Sequence, residues 1–343
     1  MRYNFKPRHN IFIVCLLAMV SSCQLPARNE AQSARLTYDD GPTDTKLSNE
    51  EYVMVTTSVT MPMYVNHDQA AFLKWGKEKG VKVSILGPAE WDVAGQINTI
   101  EEVINSRPTG LLINGTDPSL AHAINKAVEA GIPTVVYDSD IPNSKRNAFL
   151  GTDWYEIGKM QGEEIVKLLH GKGKVAYMGI LGLNNMEAGF SGLLDVFKKY
   201  PGIQVVGKFD DKANVEEAAK ITSDLLAAHP DIAAFAGFDS NSGPGIALAV
   251  KEAGKAGKIK ITTVDREPEH LALVKQGVIQ MLAGQKRELF TWYGAQFLYD
   301  MAHHTNKLSG NDRKAGITDV PYTVNTGLLK ITSENIDQFI NVH

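Results

Sequence analysis

The sequence predicts an α/β protein in which parallel strands are joined by crossover helices and grouped into two halves. From Tyr52 onward, short runs rich in β-branched residues alternate with amphipathic runs of helical length, the pattern of repeated βα units. Eight such repeats follow one another, more than one ordinary sheet takes, and the pattern is interrupted near Leu150 to Tyr155, where Gly151 stands. Each half also ends strands in acidic or amide residues, Asn114 and Asp138 in the first and Asp239 and Asp265 in the second.

Taken in order, the expected strands are Tyr52 to Thr57, Lys82 to Leu86, Gly110 to Asn114 and Thr134 to Tyr137, then Lys174 to Met178, Gln204 to Phe209, Ala233 to Gly237 and Lys260 to Val264. In the first half the helices between them are His67 to Lys79, Val93 to Ser106 and Pro118 to Ala130. Those of the second half are Ile157 to Leu169, Phe190 to Lys199, Val215 to Ala228, Gly245 to Ala253 and Pro268 to Gln276. Asp117-Pro118 and Glu267-Pro268 put proline at a helix start, where its missing N–H costs nothing. After Gly284 come an aromatic-rich helix, Leu289 to His303, a polar segment, a β-run, Tyr322 to Leu329, and a terminal helix opening at Ser333.

The 343 residues, 43% hydrophobic and 22% charged with net charge -4, suffice for two cores. With no basic run there is no electrostatic footprint for nucleic acid. Arg2, Lys6 and Arg8 precede an apolar run, Ile11 to Val20, and small residues lead to Cys23, the layout of a secretion signal too short to be a permanent membrane span. Val20-Ser21-Ser22-Cys23 resembles the bacterial lipobox, whose cysteine is lipidated and becomes the new N-terminus. An ordinary cleaved signal with an incidental cysteine is the alternative, and both export the chain. The cysteines are Cys15 and Cys23 alone, so the mature protein is expected to carry no disulfide. Residues 24–50 are polar and read as a flexible tether.

Enzyme chemistry finds little support. Leu36-Thr37-Tyr38-Asp39-Asp40-Gly41-Pro42 resembles the metal-binding motif of polysaccharide deacetylases, which pair it with two histidines four apart. The later histidines are scattered, and no strand-like run precedes the motif. No GxSxG elbow is present, Gly171-Lys172-Gly173-Lys174 lacks P-loop spacing, and no GxGxxG follows a strand. His303-His304, at a helix end, reads as a dipole-stabilised surface pair. No catalytic residue, metal or cofactor is expected.

As a recognition set the strand-end residues make better sense. Asp138, Asp265, Asn114 and Gln285 offer acceptors and amides that match adjacent hydroxyls. Met63, Tyr64, Trp91 and Phe238 lie near other strand ends and offer apolar faces for the C–H side of a sugar ring. Each acid taken singly reads as a helix cap or turn residue. Asp138 and Asp265 at corresponding points of two halves read as ligand groups.

At these residues the chain resembles the type I periplasmic sugar-binding proteins of ABC transporters, the group of ribose-binding protein and the autoinducer-2 receptor, over Glu51 to Phe339. The segments that carry it are LLINGTDP (Leu111 to Pro118), GIPTVVYDSDIPNSKR (Gly131 to Arg146), FLGTDWYEIGKMQGE (Phe149 to Glu163), GPGIALAVKEAGKAGKIKI (Gly243 to Ile261) and Val264-Asp265. GPAEWDVAGQ (Gly87 to Gln96) is similar to the autoinducer-2 and rhamnose-like branch. The resemblance implies two Rossmann-like lobes with parallel sheets joined by a three-crossover hinge and closing on a small sugar or polyol. It implies lobes of residues 50–154 plus 286–322 and 155–285 plus 323–343. It places Ser58, Met63, Tyr64, Asn114 and Asp138 in the first-lobe site, Phe238 and Asp239 in the second, with Asp265 and Gln285 as the last contacts. Two positions depart from the family: Gly189 stands where an arginine is usual, and Ser139 follows Asp138 where ribose binders carry arginine. The implied partners are an ABC permease, or in the alternative a histidine kinase or chemoreceptor, and the membrane through a lipid on Cys23.

Overall fold

The computed structural model describes residues 36–37 and 49–340. In chain order the first group of elements is β1 (Leu36–Thr37), β2 (Glu51–Val55), a wide π-helical turn (Tyr64–Gln69), α1 (Ala70–Lys79), β3 (Lys82–Leu86), α2 (Val93–Ser106), β4 (Gly110–Gly115), α3 (Ala121–Glu129), β5 (Thr134–Asp138) and β6 (Ala148–Gly151). The chain then crosses to α4 (Trp154–Leu168), β7 (Lys172–Gly179), α5 (Asn184–Phe197), β8 (Gly202–Asp210), α6 (Val215–Ala228), β9 (Ile232–Gly237), α7 (Ser242–Glu252), β10 (Lys260–Val264), α8 (Pro268–Lys275) and β11 (Met281–Gln285). It returns through α9 (Arg287–His303) to β12 (Thr323–Asn325) and crosses a third time into β13 (Leu328–Thr332).

Two sheets result, ordered β1-β3-β2-β4-β5-β6-β12 and β13-β11-β10-β9-β7-β8. Their strands are parallel except for the pairs β1 with β3 and β11 with β13. The central strands are apolar on both faces because helices cover both faces. Alternation along β2 shows it: Tyr52 and Met54 enter one core cluster, Val53 and Val55 the other. Asp92, Asp153 and Asn214 cap α2, α4 and α6 by accepting from backbone N–H groups three residues on. At the hinge, Thr326 donates its backbone N–H to Gly151 O at 2.9 Å, tying the third crossing to the first.

The two parallel sheets and three crossings agree with the expected fold class, and the differences have local causes. Strands β6 and β11 read poorly in sequence because AFLG is short and MLAGQ lacks β-branched residues; neighbouring strands on both sides hold them. The single β-run expected over Tyr322 to Leu329 is two strands in different sheets, split where Gly327 takes φ +79°. Thr323–Asn325, expected in the second lobe, therefore pairs with β6 in the first. Instead of a helix from Ser333 there is a turn and a short 3-10 segment, Ile336–Gln338. Leu36–Thr37, expected to lie in the flexible tether, pairs with Ile85 and Ser84 at the sheet edge; Asp39, Asp40 and Cys23 lie outside the described residues.

Gly189 has a packing explanation. Helices α4 and α5 touch backbone to backbone: a Cβ on Gly158 would lie 1.8 Å from Gly189 O, and one on Gly189 would lie 2.7 Å from Phe238 Cε1. No arginine fits there.

Candidate functional site

The carboxyl ends of both sheets face a cleft whose empty volume, open mouth included, is about 520 Å³. Met63, Tyr64, Trp91, Asp138 and Ser139 line it from the first lobe, Asp239 and Asp265 from the second, and Gln285 from the hinge. Three expected contacts lie elsewhere. Ser58 lines only the wider mouth, its hydroxyl donating to Ala89 O at 2.7 Å. Phe238 is fully buried beneath the cleft, edge-on to Phe190 with ring centroids 4.9 Å apart. Asn114 is also fully buried: its Oδ1 accepts from the Thr57 hydroxyl, and its Nδ2 donates to Asp138 Oδ2 at 3.1 Å. It positions a lining residue and is not one.

Asp138 ends β5 and Asp265 follows β10, and both take left-handed backbone conformations, φ +80° and +69°. Non-glycine residues adopt these at some cost, which clusters at ligand sites. Asp138 is held by Arg287, whose Nη1 and Nη2 donate to its two oxygens at 3.0 and 3.1 Å. The same guanidinium donates from Nε and Nη2 to Asp68 at 2.9 and 2.6 Å. All three groups are buried. Burial pushes the Asp68 carboxyl up to about 7 against the opposing pull of Arg287. A guanidinium has five N–H donors, so one on Nη1 remains beside the cavity that Arg287 lines.

Across the cleft Asp265 Oδ2 accepts from Ser240 Oγ, and burial raises its pKa against Arg287, Ser240 and His270. Asp239 serves α7: the Ser242 hydroxyl lies 2.9 Å from Asp239 Oδ2 and 2.5 Å from Asp211 Oδ2. With one proton, that hydroxyl satisfies one carboxylate, and burial together with Asp211 holds the Asp239 pKa well up. The Asp239 carboxyl is thus committed to the fold. Gln285 Oε1, Trp154 Nε1 and Asn185 Oδ1 are buried in the lining without a protein partner.

At the lips the lobes touch. His67, in the π-helical turn, places Nε2 at 2.8 Å from Glu267 Oε1 and Nδ1 at 2.8 Å from Glu288 Oε1. Asn66 Nδ2 donates to Glu267 Oε2 at 2.7 Å, and Arg266 pairs with Glu288. Burial alone would lower the His67 pKa, but the two carboxylates outweigh it and raise it to about 9.

Among the described residues no group of three His, Cys, Asp or Glu side chains could hold a metal, and no helix is long and apolar enough to cross a membrane. His303 stacks on Tyr299 at 3.9 Å between centroids and meets Glu50, a surface arrangement.

A family model described as periplasmic binding protein domain matches residues 52–306. The chain belongs to this family. It is a type I periplasmic binding protein, hence a solute-binding protein and no enzyme, and its place is outside the cytoplasm. The solved structure of AraP, an arabinose-binding protein from Geobacillus stearothermophilus, is 32% identical with a TM-score of 0.75, covering 85% of this chain and 99% of that one. A sugar-binding protein of a sugar ABC transporter from Bacillus halodurans is 29% identical with a TM-score of 0.77, covering 85% and 100%. The ribose import binding protein of Bacillus subtilis is 27% identical over 67% of this chain and 74% of its own length.

Arg287, Asp68 and Trp154 escaped the sequence analysis. Arg287 had a signal available: a cation in the first turn of a helix opposes the helix dipole, so its presence at the start of α9 calls for an anionic partner. Asp68 and Trp154 had none, since a polar residue in a helical run and a tryptophan at a helix start are ordinary in sequence.

Proposed function

We propose that this binding protein captures one small neutral sugar or polyol between its lobes and delivers it to a membrane permease, while a lipid on Cys23 tethers it to the membrane. The observation that carries the ligand class is the lining itself. Asp138 and the spare Arg287 N–H from one side, Asp265 and Gln285 from the other, offer donors and acceptors at once, as a hydroxyl does. Met63, Tyr64 and Trp91 supply carbon and aromatic surface for the C–H faces of a ring. That relatives of this chain bind arabinose and ribose supports the reading.

Charge narrows the class. Arg287 is the one cation among the described lining residues, and two carboxylates already neutralise it. Uronates and sugar phosphates are therefore refused. Because both lobes hold the ligand, the closed form binds it better and occupancy shifts the hinge equilibrium toward closure.

The test is calorimetric titration with L-arabinose, D-xylose, D-ribose, D-galactose, L-rhamnose, a polyol and the matching uronates, with X-ray scattering of the free and loaded protein. One neutral member is expected to bind at micromolar or better affinity and contract the scattering envelope. Preferential uptake of an acid, or no binding across the panel, overturns the reading. For the tether, Cys23→Ser should move the protein from the membrane to the soluble fraction; unchanged membrane retention overturns the lipid.

A further inference from the structure

We propose that Trp154 and Asn185, two residues outside the set expected from sequence, together read one oxygen-bearing position of the ligand: Trp154 donates its indole N–H and Asn185 Oδ1 accepts a hydroxyl proton. The inference rests on the sugar-binding reading and names where the second lobe discriminates among sugars.

Trp154 opens α4 immediately after the first hinge crossing, and Asn185 is the second residue of α5. The two helices are pulled together by the Gly158 and Gly189 contact, and a Cβ on Gly189 would lie 3.4 Å from Trp154 O. Asn185 stands one turn before Gly189, so the close approach of the helices brings the amide and the indole to the same end of the cleft. Both residues line it.

Their polar atoms have no protein partner. Trp154 is 7% exposed, and its Nε1 is buried without an acceptor; Asn185 Oδ1 is likewise buried without a donor. Buried polar atoms in folded proteins are nearly always paired, and one left unpaired calls for an explanation. Here a donor and an acceptor line the same cavity, whose second-lobe wall also includes the apolar Ile180, Leu183 and Met186. A ligand that fits must bring an acceptor and a donor to this spot, which one hydroxyl does alone.

Isolation of this role uses Trp154→Phe, which keeps the ring face and removes the N–H, and Asn185→Leu, which keeps the volume and removes the amide. Each is titrated with whichever of L-arabinose, D-xylose, D-ribose or D-galactose binds the unaltered protein most tightly, and with the monodeoxy analogues of that sugar. Both variants lose an unpaired buried atom, so their melting temperatures should equal or exceed that of the parent. Each should bind the parent sugar about tenfold more weakly. For one monodeoxy analogue the loss should disappear, because the hydroxyl that met these atoms is gone. Undiminished affinity in well-folded variants overturns the proposal and leaves the sugar reading intact, as does an equal loss for every analogue. Failure of the unaltered protein to bind any of these sugars overturns the reading beneath it, and that is seen before any variant is made.

Discussion

Arg287 grips Asp138 through both terminal nitrogens while its Nε and Nη2 hold Asp68, so one cation orients two buried carboxylates at the hinge end of the cleft. Removing one partner from such a group leaves uncompensated charge in a low-dielectric interior, the costly case among buried ion pairs. Arg287→Met should lower the unfolding free energy by about 3–5 kcal/mol. Denaturant unfolding near neutral pH measures it. Since burial already holds Asp68 up near 7 with the guanidinium present, its loss should also make the Asp68 carboxyl take up a proton. The deficit should therefore shrink as the pH is lowered, and a pH-independent deficit would contradict the electrostatic account.

His67 gives closure a pH dependence of definite sign. The ring meets Glu267 and Glu288, Arg266 reaches the same Oε1 of Glu288 and opposes the rise, and Asp68 is its neighbour; Glu267 in turn faces His270. The closed form raises the His67 pKa from 6.5 to about 9. The same contacts, which outweigh burial, lower Glu288 to about 2. A raised pKa contributes stability that is fully present below 6.5 and is lost as the pH climbs through about 9. Ligand affinity should accordingly fall across that window. At pH 8 binding should take up a proton, measured as a dependence of the titration heat on buffer ionisation enthalpy. His67→Gln should abolish both effects.

How far the sequence reveals this molecule depends on how local each signal is. The central strands and most helices are legible because burial on both faces of a sheet demands unbroken apolar runs such as TVVYD in β5. The place of Asp138, Asp265 and Gln285 in the cleft lining is legible because strand ends in parallel α/β sheets converge on one crevice. Two failures arise from three-dimensional neighbours: Phe238 and Asn114 follow the same strand-end logic, yet one is roofed by Phe190 and the other is absorbed by Thr57 and Asp138. The lips are the third case. Asn66 and His67 meet Glu267 across some two hundred residues of chain, and no periodicity registers such a pair.

Gln285 separates stability from binding. Its Oε1 is buried at the end of β11 without a protein partner, and on the proposed sugar-binding reading the ligand compensates this desolvated acceptor. Gln285→Leu should leave the melting temperature of the free protein unchanged or raised, and should weaken sugar binding roughly tenfold. A matched loss of stability and affinity would show instead that the amide serves the fold. Differential scanning calorimetry and titration on the same sample provide the comparison.

The contact between α4 and α5 tolerates no added side chain at its glycines. A Cβ on Gly158 would sit 1.8 Å from Gly189 O, and one on Gly192 would sit 2.0 Å from Tyr155 O. Neither neighbour is a flexible side-chain end; both are backbone, so the helices themselves must separate. Gly158→Ala should therefore cost about 1–3 kcal/mol by overpacking, although alanine is the better helix former by roughly 1 kcal/mol. Spreading the helices should also move Trp154, the first residue of α4, away from Asn185. Ligand affinity should fall with stability, whereas an alanine at the exposed, unhindered Gly310 should change neither. Denaturant midpoints and titrations of the two variants check the contrast, and a Gly158→Ala protein as stable as the parent would refute the steric account of this helix pair.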